Sequence, residues 1–250
     1  AALIEIPGGR TMVVDAGGVD SPRFNVGEWV ISPYLWHHGA RELERIIISH
    51  PQKDHMAGAI ALLRNFTVKE LWLGTFPDEE QNNSFYRRLI RMAMEQGVNI
   101  QRIDHKTLHT DAMTLWVTVP GLDREKASIN DRSVMVGITM GRHRFLFPGD
   151  IEAKGEEWFV EHHPQTRFSV VVAPHHGSGT SSTPAFISSL QPQHVVFSCD
   201  ATRSKKIPHP QVLDRWRNAG SHLWRTDQQG TLIWETDGNE LWWQPPDRGG

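Results

Sequence analysis

Ser49-His50-Pro51-Gln52-Lys53-Asp54-His55 follows the apolar run Arg45-Ile46-Ile47-Ile48 and leads into Met56-Ala57-Gly58-Ala59-Ile60-Ala61-Leu62-Leu63. The first apolar run reads as a buried strand and the second as a helix. Two imidazoles and a carboxylate are therefore gathered where a strand ends and a helix begins. Neutral imidazole nitrogen and carboxylate oxygen are ligand types that suit zinc, manganese or iron. The plainer reading is a helix start, with Asp54 as cap and both histidines exposed, since Asp is a favoured cap.

Repetition along the chain weighs against that plainer reading. Arg144-Phe145-Leu146-Phe147-Pro148-Gly149-Asp150 is an apolar strand ending in a carboxylate. Val170-Val171-Val172-Ala173-Pro174-His175-His176-Gly177-Ser178 is another, ending in two histidines. Val195-Val196-Phe197-Ser198 is followed after a loop by Pro208-His209-Pro210. Four strand ends that each deliver His or Asp fit a site built along one edge of a layered α/β fold.

Further strands are expected at 2–6, 11–15, 70–73, 114–119, 133–140, 143–147, 169–173, 194–198, 231–235 and 240–243. Helices are expected at 83–96, 152–161, 184–190 and 210–218, with Gly97 and Gly220 just past two of them as left-handed caps. The chain has 250 residues, 38% hydrophobic and 22% charged, which fits one sizeable globular domain. That domain is expected over residues 1–244, with 245–250 as a frayed tail. No apolar run approaches the roughly 18 residues of a membrane span, and no signal-peptide pattern opens the chain. Residues 2–6 nevertheless read as a strand already under way after a residue that is not Met, as in an excerpt from a longer protein. Cys199 is the single cysteine, so no internal disulfide forms, and a buried thiol is its expected role.

Asp15-Ala16-Gly17-Gly18, the His50 to His55 cluster, Pro148-Gly149-Asp150 and His175-His176-Gly177-Ser178, in this order, resemble the metallo-β-lactamase superfamily. Together with Asn130-Asp131-Arg132-Ser133 and Arg225-Thr226-Asp227-Gln228-Gln229-Gly230, the pattern is similar to the carboxy-terminal domains of the ComEC branch, membrane channel proteins of bacterial DNA uptake. The resemblance covers Ala2 to about Thr236. It implies an αββα four-layer sandwich and one or two divalent metal ions. It also implies a larger parent protein, with this domain at the extracytoplasmic (periplasmic) face of the bacterial inner membrane.

Carried over position by position, the resemblance makes His50, Asp54, His55, Asp150 and His175 the metal ligands. Asp150 would bridge two sites. Asp15, Gln52, Asn130, Ser133 and His176 would support those ligands. Asp54, Ser178 and His209 are the expected catalytic residues, and Ser178, Lys205, Lys206 and His209 the expected contacts to a phosphodiester. Gln52 departs from the superfamily, which has His there, and from its ComEC branch, which commonly has Asp. A neutral amide is a poor ligand for borderline cations, so the first site is weakened. Oxygen atoms of Asn130, Asp131 and Ser133 nearby would favour Mn²⁺ over Zn²⁺. β-Lactam hydrolysis is not expected, because the paired histidines at 50 and 52 that it uses are absent.

Gly177, Ser178 and Gly179 read as the start of a helix-forming stretch whose amides would hold phosphate oxygens, against a plain helix start capped by Ser181 or Thr183. The formal net charge of −3 argues against a strong general affinity for nucleic acid. Basic groups concentrate at Arg203-Lys205-Lys206 and at Arg87-Arg88-Arg91, the latter reading as a solvated helix face. Trp72, Trp224 and Trp242 would stack on bases where exposed, although burial is the plainer expectation. The expected activity is a metal-dependent nuclease that degrades one DNA strand during uptake in natural transformation, single-stranded DNA being the favoured partner. The alternatives are a hydrolase of small phosphoesters and a catalytically weakened DNA-guiding domain.

Overall fold

Ala2–Ile6 (β1) and Arg10–Val14 (β2), both expected as strands, form an antiparallel hairpin in register Ala2↔Val14 to Ile6↔Arg10. The computed structural model describes residues 1–6, 8–18, 24–164, 166–200 and 207–244. The chain divides into two compact units, Ala1–Asp104 and His105–Gly250. Lys205, Lys206 and the tail 245–250, whose roles were expected above, lie outside the described residues.

The first unit holds a five-stranded sheet of order β1-β2-β3-β4-β5, completed by Glu42–Ile48 (β3), Thr67–Leu73 (β4) and Asn99–Arg102 (β5). From β2 to β5 all pairs are parallel. Strands β3 and β4 end in Ile46-Ile47-Ile48 and Leu71-Trp72-Leu73, all at most 1% exposed. Such unbroken apolar runs mark strands covered on both faces. Trp72 is thus removed as a stacking surface for bases.

The helix Ser84–Glu95 turns Tyr86, Leu89 and Ala93 inward, one stripe of a 3.6-residue period. Asn83 Oδ1 caps it by accepting from Phe85 N and Tyr86 N, both at 3.0 Å. Gly97, at φ 70°, follows it as expected. The stretch read as one helix from residue 56 is instead two short ones, Lys53–Met56 and Ala59–Asn65. Gly58 separates them because the loop after β2 passes over it: a Cβ there would lie 2.0 Å from Ala16 O. The helices Ser32–His37 and Pro77–Asn82 had no clear sequence signal.

The second unit holds a seven-stranded sheet of order β12-β11-β10-β9-β8-β7-β6. Its strands are His105–His109 (β6), Thr114–Thr118 (β7), Met135–Met140 (β8), His143–Phe147 (β9), Val170–Val172 (β10), His194–Phe197 (β11) and His222–Arg225 (β12). β6 to β9 run antiparallel and β9 to β12 parallel. The helices Ala153–His162, Pro184–Leu190 and Pro210–Asn218 bring Phe159, Phe186, Val212 and Trp216 into one core with Leu146, Val171, Val195 and Phe197. Each of these side chains contributes on the order of 1.5–3 kcal/mol when fully buried.

A separate hairpin, Ile233–Thr236 (β13) with Leu241–Gln244 (β14), is tied on where Arg142 N donates to Gly238 O at 2.9 Å. The Trp224 ring lies 5.3 Å from that of Trp234 and 4.9 Å from that of Trp243, so it too is buried; Trp242 is 41% exposed. Among the described residues no helix is long and apolar enough to cross a membrane.

Candidate metal centre

In the first unit the parallel register of β2 and β3 brings Asp15, just past one strand, beside Ser49, just past the other. Asp15 Oδ1 accepts Ser49 N at 2.8 Å, and Oδ2 accepts Ser49 Oγ at 2.9 Å. The same Oδ2 lies 2.8 Å from His55 Nδ1. Ser49 Oγ also lies 3.0 Å from His50 Nδ1. Burial by itself would raise the Asp15 carboxyl, but the pairing with His55 and the Ser49 amide hold it below the usual carboxylate range. Both imidazoles are thus oriented through Nδ1, which makes Nε2 the nitrogen available for coordination. His55 Nε2 stands 3.8 Å from Asp54 Oδ2.

The glycines of Asp15-Ala16-Gly17-Gly18 let this loop clasp the turn at 53–58. Ala16 N donates to His55 O at 2.7 Å, and a Cβ on Gly18 would lie 2.0 Å from Lys53 O. Gln52 is the N-cap residue of Lys53–Met56, yet its side chain makes no capping bond. Asp54, a cap on the plainer of the two readings, lies instead inside that helix and is exposed.

In the second unit β9 and β10 run parallel, which sets Asp150 beside the 3₁₀ turn Pro174–Gly177. Asp150 is 2% exposed, and its amide donates to Ser133 Oγ at 3.2 Å. His175 and His176 both adopt positive φ, 48° and 55°, a backbone state disfavoured for side chains larger than glycine. Cross-links hold the turn in place: His175 N donates to Gly149 O at 3.2 Å, and Ser181 Oγ to Pro174 O at 2.8 Å.

The outcome is that two consecutive imidazoles face one carboxylate. His175 Nε2 lies 3.8 Å, and His176 Nε2 3.7 Å, from Asp150 Oδ2. What holds their Nδ1 atoms differs. His176 Nδ1 donates to Ser198 O, past β11, at 2.9 Å. His175 Nδ1 lies 3.3 Å from Glu152 Oε1. Distance to Asp150 therefore does not rank the two histidines as ligand and support.

Glu152 had no role in the sequence reading, where it marks only a helix start. Its Oε1 accepts Thr180 Oγ1 at 2.7 Å and its Oε2 accepts Ser128 Oγ at 3.1 Å. Asp131 is used differently from the expected oxygen ligand: its Oδ1 accepts Glu152 N at 2.9 Å and Gly155 N at 2.8 Å, capping the helix that follows. Asn130 begins the 3₁₀ turn Asn130–Arg132, and Ser133 follows that turn directly.

Gly177 to Gly179 do not begin a helix, in contrast to the expectation. The helix starts at Pro184, with Thr183 Oγ1 accepting Phe186 N at 3.3 Å. Ser178 lies in the connecting loop, its Oγ 3.0 Å from Thr180 Oγ1. His209 adjoins this loop: its amide donates to Gly177 O at 2.8 Å, and a Cβ on Gly179 would lie 3.4 Å from its ring. Cys199 is half-buried; burial and the Asp227 carboxylate push its thiol up to about 11, which removes it as a nucleophile.

No protein-family model matches the chain. A solved structure described as CmlA beta-hydroxylase E377D mutant superposes with a TM-score of 0.57 at 14% identity, covering 87% of this chain and 49% of that one. The α/β class holds, and the fold is that of the metallo-β-lactamases. More particularly, the chain is 29% identical over 211 residues to "ComE operon protein 3" of Bacillus subtilis (strain 168), covering 84% of this chain and 26% of that protein. It is 29% identical over 226 residues to "Competence protein ComA" of Neisseria gonorrhoeae, covering 89% of this chain and 29% of that protein. The resemblance read from the motifs is borne out, and the chain spans between a quarter and a third of the length of these curated relatives.

Proposed function

We propose that the chain is a metal-dependent phosphodiesterase acting on DNA, with single strands favoured, within a larger competence protein. One observation carries the reading: in each unit, imidazoles fixed through Nδ1 turn Nε2 toward a carboxylate. In the first unit the pair is His55 with Asp54; in the second, His175 and His176 share Asp150. Oriented imidazole beside carboxylate is the donor set of a divalent ion, and both the pair Asp54 and His55 and the pair Asp150 and His176 carry it. His50 and His175 complete the proposed ligands. In His55 and His176 the Nδ1 partner is a carboxylate or carbonyl oxygen, which only accepts, so the ring donates from Nδ1 and leaves Nε2 as the ligating nitrogen; these residues fit the group.

When bound, such an ion would supply Lewis acidity and lower the pKa of a water molecule toward about 7. The remaining chemistry falls to this chain's own side chains. Asp150 is buried, so its charge is compensated only where cationic partners surround it. His209, beside the Ser178 loop, is the proposed proton donor to the leaving oxygen, with Ser178 Oγ as a donor to a phosphate oxygen. Mn²⁺ is favoured over Zn²⁺ because Gln52 replaces an imidazole ligand. Lys205 and Lys206 are proposed to guide the phosphate backbone. The names of the relatives support DNA uptake as the setting, which extends the reading to a membrane-held parent at the periplasmic face.

The test is cleavage of labelled single-stranded DNA by the purified chain in Mn²⁺, in Zn²⁺ and after exhaustive chelation. Manganese-dependent cleavage that chelator abolishes supports the reading. Activity that survives chelation overturns it, and activity confined to small phosphoesters replaces it with the small-ester hydrolase.

A further inference from the structure

The flank of Ser84–Glu95 next to its buried stripe does not read as a plain solvated surface. Arg87, Ile90, Arg91 and Met94 line a cleft of about 320 Å³ together with Tyr86 and with Arg102 of β5, all within the first unit. Among the described residues this lining carries three guanidinium groups and no carboxylate. Arg87, Arg91 and Arg102 are exposed at the rim, while Met94 stands 68% exposed beside the half-buried Ile90. In a chain whose net charge is −3, three arginines in one lining are a local concentration of basic side chains.

We propose that the cleft is a binding site for the phosphodiester backbone of single-stranded nucleic acid. Phosphates would sit on Arg87, Arg91 and Arg102, with a base or sugar face against Ile90 and Met94. Guanidinium groups pair with phosphate through two parallel hydrogen bonds, and they recur wherever that anion is recognised. At about 320 Å³ the cleft has more room than one phosphate fills and stands at the lower end of the range for organic ligands. Apolar side chains beside basic ones match a ligand that alternates flat bases with charge, which an acidic peptide does not. The site stands on the first unit alone and holds whether or not the histidine clusters hydrolyse anything.

The experiment measures anisotropy of a short labelled oligothymidylate in chelator, titrated with the whole chain across a salt series. Arg87→Ala/Arg91→Ala/Arg102→Ala should weaken binding at least tenfold and flatten the log–log salt dependence by roughly two units, at about 0.7 per lost phosphate contact. Arg88→Ala is the control, because Arg88 is exposed on the same helix with the same charge but does not line the cleft. It should change binding less than twofold. If the triple variant does not fold, Arg91→Glu alone should give the same loss.

Absence of binding by the unmodified chain overturns the proposal. So does a cleft variant with unchanged affinity and slope, or an Arg88→Ala effect as large as that of Arg91. Displacement by oligoglutamate as effective as by unlabelled oligothymidylate overturns the nucleic-acid assignment. Intact binding without manganese-dependent cleavage would sink the hydrolase and leave this site standing.

Discussion

Asp15 Oδ2 and His55 Nδ1 lie 2.8 Å apart, joining residues 40 positions apart through a bond that is buried at both ends. One carboxylate thereby fixes the ring of a proposed ligand and, through Ser49, the end of β3. Asp15→Asn should weaken Mn²⁺ binding 10- to 100-fold, the usual cost of losing such a support, as read by calorimetry. It should also lower stability by roughly 1.5–3 kcal/mol, because charge-assisted bonds are lost in the interior. The Asp15 carboxyl is held below its usual range, so its stabilisation is present above about pH 4 and is lost as pH falls through its folded value. Thermal melts of variant and parent should therefore converge on acidification; a gap that widens would rule out this role.

Glu156 is fully buried on Ala153–His162, its carboxylate accepting Ser182 N and, at 2.7 Å, Thr183 N. Burial raises its carboxyl above the ordinary value against the pull of these amides. Between the unfolded and folded values the native state then binds more protons, so this group's contribution to stability falls as pH rises through the folded value. Glu156→Gln removes that titration. Its melting temperature relative to the parent should rise steadily from pH 4.5 to pH 7.5, and a flat or falling difference would show that the carboxylate is accommodated ionised.

Restoring a carboxylate at position 52 tests the weakened first site. Gln52→Asp should raise Mn²⁺ affinity and increase turnover when metal is limiting, since a charged oxygen replaces a neutral amide. Calorimetry showing no gain in affinity would mean that position 52 faces away from the ion.

His209 and Asp54 separate proton transfer from ligation. His209→Ala should lower the cleavage rate at saturating DNA by about 10²-fold or more and leave metal binding unchanged, as loss of a general acid requires. Asp54→Ala should abolish cleavage with little change in melting temperature, because the residue is exposed. A His209 variant with an unchanged maximal rate would leave that imidazole as the cap of Pro210–Asn218, where its Nδ1 accepts Gln211 N at 3.3 Å.

Glu152 offers a check on the second unit. Glu152→Gln should lower metal affinity or maximal rate 10- to 100-fold, because the anionic partner of His175 Nδ1 is lost. Equal activity in the variant would assign Glu152 to the loop alone, through Thr180 and Ser128.

The central strands were legible before any coordinates, and the reason is burial. β3 and β4 end in apolar runs because neighbouring chain covers those ends on both faces, β9, β10 and β11 send apolar residues into one core, and each was expected within a few residues of its bounds. β5, β6 and β12 were not expected, and all three are sheet edges. Sequences such as Asn99-Ile100-Gln101-Arg102 and His222-Leu223-Trp224-Arg225 carry little periodicity, because an edge strand needs less apolar cover. The inventory of His and Asp at strand ends was equally a property of the sequence, since residue type and position after a strand are local facts. Which atoms those residues turn inward was not local. The bond from Asp15 to His55 depends on the parallel register of β2 and β3, and the left-handed turn that aims His175 and His176 at Asp150 is held by Gly149 and Ser181. Glu152, Ser198 and Ser49 acquired their roles in the same way, through strands paired far apart in the chain, which is why residue type alone could name the donors but only tertiary structure could orient them.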